Sequence, residues 1–161
     1  MNIQKILDLH LKYLRGEQGG ERADLSGANL RYANLSDANL SDANLSGAKN
    51  LLSATAWLLS AFKKTAKGII VYKAQKAQYE SPKHWIWEKG KYLTEVCSLL
   101  PTVECGCGVN FATLDWIKKN HSDSPVWECL IEWIDLAETV VPYNTDGKAR
   151  CARLKLIKLI D

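Results

Sequence analysis

Ala23-Asp24-Leu25-Ser26-Gly27, Ala28-Asn29-Leu30-Arg31-Tyr32, Ala33-Asn34-Leu35-Ser36-Asp37, Ala38-Asn39-Leu40-Ser41-Asp42 and Ala43-Asn44-Leu45-Ser46-Gly47 follow one another without a break. A repeat buries its apolar face only against its own neighbours, so this periodicity outranks local propensity. A period of five fits neither the 3.6-residue turn of a helix nor the two-residue alternation of a flat strand. Ala and Leu stand two apart in each unit, the spacing that puts two side chains on one side of an extended segment. The Asn or Asp between them points away, and the last two residues of each unit turn the corner. Four units then close a square coil, and successive coils stack at about the 4.8 Å spacing of neighbouring strands. The competing reading is a disordered low-complexity tract, against which stands leucine at a fixed phase in all five units.

These A-(D/N)-L-x-x units resemble the pentapeptide-repeat family, which implies a right-handed quadrilateral β-helix. The phase ends after Gly47, since Asn50 and Thr55 fill the next two Leu positions. Little more than one coil is written, and both of its ends need cover. Upstream, Ile3, Ile6, Leu7, His10, Tyr13 and Leu14 recur at helical spacing before Gly16, and Gly19-Gly20 turns into the first unit. His10 on that face reads as a packed histidine rather than a ligand. Downstream, Leu51, Leu52, Thr55, Leu58, Leu59 and Phe62 form a second helical stripe, and residues 62–68 read as a linker. The sequence thus predicts a mixed β/α fold: a short quadrilateral β-helix with helical caps, joined to a small α+β domain. Its parts are a capping helix over 1–20, the repeat coil over 21–50, a helix and linker over 51–68, and the α+β domain over 69–161.

The net charge of +3 is less informative than its placement. Residues 51–68 hold three lysines and no acid, while residues 69–161 are balanced at twelve basic and twelve acidic groups. No basic face emerges, so direct nucleic-acid binding is not favoured. No apolar run approaches the ~20 residues of a membrane helix, and no secretory leader is recognised, so a cytoplasmic protein without a membrane partner is expected. In that compartment the five cysteines are read as reduced thiols.

From Gly68 onward the pattern mixes strands and helices. Ile69 to Tyr72, Trp85 to Trp87, Lys91 to Val96, Val126 to Trp133 and Lys148 to Ile160 read as strands. Asn110 reads as the N-cap of a helix through Phe111, Leu114 and Ile117, and Asp146-Gly147 as a turn. A curved antiparallel or mixed sheet with one helix packed on it follows.

Chemistry is sparse. Cys105-Gly106-Cys107-Gly108 offers two thiols, but their spacing departs from the C-x₂₋₄-C of structural zinc sites and no second knuckle exists. No metal, no cofactor and no catalytic residue is assigned. Lys73, Asn110, Lys148 and Arg150, with His84 beside them, form a candidate ligand-binding set, because basic groups at strand ends beside a Gly-rich turn can grip phosphate. Solvated strand-edge charge is the bland alternative.

Three strings are similar to a domain of unknown function appended to pentapeptide repeats in bacteriophage and prophage proteins. They are Ile70 to Ala74, Cys105 to Trp116 and Val141 to Cys151. That resemblance implies viral origin and brings no activity. The expected function is a phage- or prophage-encoded interaction protein that binds and inhibits a host protein. Arg31, Tyr32, Asp37 and Asp42 on the repeats, with Trp85 and Trp87 as aromatic anchors, form its contact face, and a homodimer is the other association considered. One alternative is a nucleotide-binding or ADP-ribosyltransferase-like domain, a loose likeness in element order that lacks the histidine-tyrosine-glutamate set. Another is a DNA-mimic topoisomerase inhibitor, which the short and weakly acidic repeat does not suit.

Overall fold

The computed structural model describes residues 1–30, 33–35, 38–76, 80–103, 106–143 and 145–160. The chain begins with α1 (Ile3–Leu14), capped by the Asn2 side chain on the Lys5 N–H at 3.1 Å. After the repeats come α2 (Ala54–Ala61), β1 (Lys63–Lys64), β2 (Gly68–Ala74), β3 (Tyr92–Thr94), β4 (Val109–Ala112), α3 (Leu114–Asn120) and β5 (Val126–Glu132). A 3₁₀ turn over Trp133–Glu138 leads to β6 (Thr139–Val140), β7 (Lys148–Cys151) and β8 (Arg153–Ile160). The eight strands make one antiparallel sheet in the order β3-β8-β5-β2-β4-β7-β6, with β1 also paired to β2.

This architecture corrects the sequence-based one. Among the described residues the regular structure is an open eight-stranded antiparallel sheet with few helices, and they show no quadrilateral β-helix with helical caps. Among the described residues of the repeats, strand pairing is limited to two isolated parallel bridges, Asp24 with Asn44 and Asn29 with Lys49. The reason is length. Residues twenty apart pair here, so five units leave only the last few residues with a partner to lie beside. Nor does α2 close the repeat. Its Leu58 packs into the core of the sheet with Phe62, Ile69, Val71 and Phe111. The expected linker is a hairpin instead, with Lys63 opposite Ile70 and Lys64 opposite Ile69.

What the repeat does form is local and explains its composition. In every unit the Leu carbonyl accepts from the Ala N–H that opens the next, from Leu25 and Ala28 (3.1 Å) through Leu45 and Ala48 (3.0 Å). The second position caps the fourth: Asp24, Asn39 and Asn44 each accept from the N–H of the serine two residues on, at 3.0–3.1 Å. Such Asx turns are the reason for Asn or Asp at that place. The Ser26 bond, with burial opposing, holds the Asp24 carboxyl below its ordinary range. The fifth position needs left-handed backbone, with φ of 64° at Gly27, 63° at Asp42 and 68° at Gly47, which Gly adopts freely and Asp tolerates. Leu25, Leu30 and Leu35 are buried with Leu7 of α1, whereas Leu40 and Leu45 are half-buried.

His10 joins α1 to the repeats. Fully buried, it accepts the Ala23 N–H on Nδ1 at 3.1 Å and donates from Nε2 to the Ser41 carbonyl at 3.0 Å. Its partners fix the tautomer, because a backbone N–H only donates. It is a packed histidine, as its sequence context implied.

Elsewhere the sheet places its side chains by alternation. One face carries Ile69, Val71, Leu93, Phe111, Trp127, Cys129, Ile131, Ala149, Cys151, Leu154 and Leu156, which form the main core. On the other face α3 lays Ile117 over Ala74 and Ala112. Gly68 is required by closeness, since a Cβ there would stand 1.9 Å from the Ile131 carbonyl oxygen. Three local readings also change. Trp85 to Trp87 is not a strand; residues 109–112 form β4, so the N-cap of α3 is Thr113 rather than Asn110; and the last strand breaks at Ala152 into β7 and β8.

Leu25→Ala is expected to cost ~2–5 kcal/mol, as for other buried truncations. His10→Phe, which keeps the ring but leaves the Ala23 N–H and Ser41 carbonyl unpaired, is expected to cost about 1–3 kcal/mol for each group. Urea unfolding of both variants checks the pair.

Candidate functional site

Among the described residues Arg150 is the largest fully buried side chain. It stands on β7 opposite Asn110 of β4, on the face away from the main core. Its guanidinium donates to three backbone carbonyls: Ser98 from Nε at 2.8 Å, Val103 from Nη1 at 2.7 Å, and Leu100 from Nη2. A buried cation is tolerated only when its donors are met, and the fork geometry of arginine suits three acceptors from one loop. Carbonyls turned inward leave side chains turned outward. Val96, Leu99 and Leu100 are 77%, 61% and 49% exposed on the surface of the loop that Arg150 holds.

Beside these residues lies an open cavity of about 520 Å³, lined by His84, Thr94, Glu95, Val96, Cys97, Leu99, Glu138 and Ala152. Glu95 and Glu138 give its apolar wall an acidic rim. Leu99 also borders a second cavity of about 320 Å³ with Leu52, Pro101, Val141 and Tyr143. Leu52 and Tyr143 continue into a third, of about 270 Å³, against Leu30 and Leu35 of the repeats. The result is a run of apolar surface from the β3 edge to the end of the repeat segment.

The predicted ligand set is divided by the sheet. Asn110 is exposed, with its amide 3.4 Å from the Gly108 carbonyl. Lys148 lies 5.2 Å from the Trp116 ring. Asn110, Lys148 and Arg150 share the outer face, whereas Lys73 projects from the opposite one, in the row of Ile69 and Val71 and opposite Trp127. There Lys73 meets two of the predicted partner anchors. Its ammonium lies 5.3 Å from the Trp85 ring and 6.0 Å from Trp87, which meet each other edge to face at 5.9 Å. Trp85 and Trp87 are half-buried and pack around that lysine. Neither the sequence spacing nor composition joined these three; the contact arises because the 80–91 loop folds across the inner face. Asp42 is exposed on the repeats, with its carbonyl accepting from Arg22 Nε. Arg31, Tyr32 and Asp37 lie outside the described residues.

Burial lowers Lys73 to about 8, opposed by the neighbouring Cys129 and Cys151 thiols. Burial raises those two thiols in turn, and also Cys97, so all three are held protonated. Cys97, Cys107, Cys129 and Cys151 are free, and Cys105 lies outside the described residues. Among the described residues no group of three or more His, Cys, Asp or Glu could hold a metal ion, and no helix is long and apolar enough to cross a membrane.

Comparison with known proteins bears on one part of the chain. Residues 21–49 match the family model described as pentapeptide repeats (8 copies). The segment is a pentapeptide repeat. The match ends where the phase of the sequence ends and does not extend to the sheet. No curated protein and no solved structure matches the chain.

A lysine held at about 8 when folded and near 10.5 when unfolded carries a burial cost that is fully present below pH 8 and relieved as the pH rises toward 10.5. Lys73→Met is therefore expected to be more stable than wild type at pH 7, by roughly 1–3 kcal/mol. The gap should narrow between pH 8 and pH 10.5, as read by urea midpoints across that range.

Proposed function

We propose that this protein is an interaction protein that binds a host protein in the cytoplasm and modulates, by inhibition, what that partner does. The observation that carries the reading is the exposed apolar surface of Val96, Leu99 and Leu100, beside the Ser98, Leu100 and Val103 carbonyls that Arg150 bonds, with Val96 and Leu99 lining a cavity rimmed by Glu95 and Glu138. Clustered exposed aliphatic residues beside a concavity are the usual mark of a protein-binding surface. The acidic rim fits a partner that presents an apolar side chain next to a lysine or arginine. The viral setting rests on the resemblance of three strings in residues 69–161 to phage and prophage domains. The nucleotide-binding alternative receives no support from placement, since Lys73 is separated by the sheet from Asn110, Lys148 and Arg150.

Leu99→Asp combined with Val96→Asp tests the reading, because both side chains are exposed and neither substitution disturbs the core. Affinity capture from host lysate with wild type and the double variant, followed by titration of the captured protein, is the measurement. A stoichiometric partner lost by at least a hundredfold in the variant is expected. Equal binding by both would place the interaction elsewhere.

A further inference from the structure

We propose that the surface of Val96, Leu99 and Leu100 receives an amphipathic α-helix of its partner. The apolar stripe of that helix follows the run of three cavities, and its lysine or arginine sits between Glu95 and Glu138. The proposal deepens the reading of this surface as a partner site and rests on it. The first ground is the shape of the apolar path. Leu99 borders both the 520 Å³ and the 320 Å³ cavities, and Leu52 and Tyr143 border both the 320 Å³ and the 270 Å³ ones. One side chain fills one such hollow, whereas a row of them asks for apolar groups repeated along a line. A helix supplies these at i, i+3 or i+4, and i+7.

The second ground sets a helix apart from a strand as the occupant. The end strands of the sheet order, β3 and β6, meet at Ala152. Its N–H donates to the Glu138 carbonyl at 3.1 Å, and its carbonyl accepts the Glu95 N–H at 2.9 Å. The 520 Å³ cavity opens at this joint. A peptide added there as a strand needs a ladder of free backbone donors and acceptors along the sheet edge. Groups at the joint are already engaged. The Thr94 carbonyl accepts from His84 Nε2 at 3.0 Å and from Trp85 Nε1 at 2.9 Å. The Val96 N–H bonds Glu95 Oε1 at 3.0 Å, and the Thr139 N–H bonds the Leu136 carbonyl. Farther along, Arg150 takes the Ser98 and Leu100 carbonyls, and the Tyr143 N–H takes that of Pro101. A helix meets its own backbone bonds, so it docks on such a surface through side chains alone.

The third ground is charge complementarity. Glu95 and Glu138 flank the joint, and among the described residues neither carboxylate forms an ion pair. By contrast, Asp135 and Glu132 are matched by Arg153 at 2.9 Å and 3.7 Å, and Glu128 by Lys158 at 3.6 Å. Two unmatched carboxylates beside aliphatic side chains suit a cation placed one turn from an apolar stripe. Glu138 is exposed and Glu95 half-buried, so pairing there strips neither carboxylate fully of water. The charge selects the partner and sets its register, while the leucine surface supplies the affinity.

The test uses the full chain and synthetic peptides of about fifteen residues, roughly four helical turns. The first peptide carries leucines at i, i+3 and i+7 with an arginine one turn beyond. A second has the same composition with its leucines on alternate residues, a third adds a central proline to the first, and a fourth replaces the arginine by glutamate. Isothermal titration and far-ultraviolet circular dichroism are the readouts. The first peptide is expected to gain helix on binding, to bind at least tenfold more tightly than the second and third, and at least fivefold more tightly than the fourth. Glu95→Gln with Glu138→Gln should remove the last difference alone, since a glutamine Oε1 still accepts the Val96 N–H. Val96→Asp with Leu99→Asp should weaken the first peptide at least tenfold. Absent binding of the first peptide, equal binding of the alternating one, or no difference between arginine and glutamate would overturn the proposal. So would a dimer of the chain, seen by sedimentation, that Val96→Asp/Leu99→Asp dissociates. A captured host protein lost in that variant, without any preference for the helical peptide, would overturn the helix and leave the partner surface standing. Helical preference with no captured host protein would support the helix site and count against the host-partner reading.

Discussion

A guanidinium that reaches no solvent must have its donors met, and the way Arg150 meets this demand organises much of the molecule. Among the described residues its guanidinium bonds the carbonyls of Ser98, Leu100 and Val103, which lie in one loop. The Ser98 N–H is bonded to Cys107 at 2.9 Å, and the Pro101 carbonyl accepts the Tyr143 N–H at 2.9 Å. Tyr143 in turn packs against the leucine cluster of the repeats, where burial raises its phenol. One buried charge thus fixes a loop, the loop presents Leu99 and Leu100 to solvent, and its far side holds Tyr143 against the cluster of Leu30 and Leu35. The alternative, an apolar residue at 150, would leave those carbonyls facing a dry interior without donors, a cost that carbonyls in water do not bear.

The two parts of the chain are held by different physics. The repeats are held by short-range bonds within each unit, Asx turns and Leu-to-Ala turns, and by the buried imidazole of His10 between α1 and two backbone groups. The sheet is held by long-range pairing, with β5 paired to β2 along seven residues, and by a core that one face supplies. Its free edge at β3 is partly occupied by side chains, since His84 and Trp85 both bond the Thr94 carbonyl. Edge carbonyls taken up in this way are less available for chance pairing with another chain.

The repeat was legible as a repeat because its period is written in every unit, and its burial at Leu25, Leu30 and Leu35 follows from that period. The coil geometry was not, because the number of stacked turns is set by length, and five units leave too little overlap for strands to form. Alternation located β2 and β5 closely. It failed at Trp85 to Trp87, where aromatic content mimics a strand while the residues serve as walls over Lys73. It failed again at 109–112, where Asn110 imitates a helix cap although the four residues pair with β7. Lys73 and Arg150 both stood out in sequence as basic residues at strand ends beside a Gly-rich turn. Which face each occupies depends on register with distant strands, and that information is not local. The exposed Val96–Leu100 surface had no signal of its own, since an apolar run reads as buried until the neighbouring arginine is seen to turn its carbonyls inward.

Hydrogen exchange of wild type and Arg150→Met, followed by mass spectrometry of overlapping peptides, tests this account most directly. It predicts that exchange accelerates at least tenfold at the amides of Ser98, Val103 and Tyr143, while β2, β5 and β8 keep their protection. Unchanged exchange in the 98–103 loop and at Tyr143, with the variant folded, would contradict the central role given to the buried guanidinium.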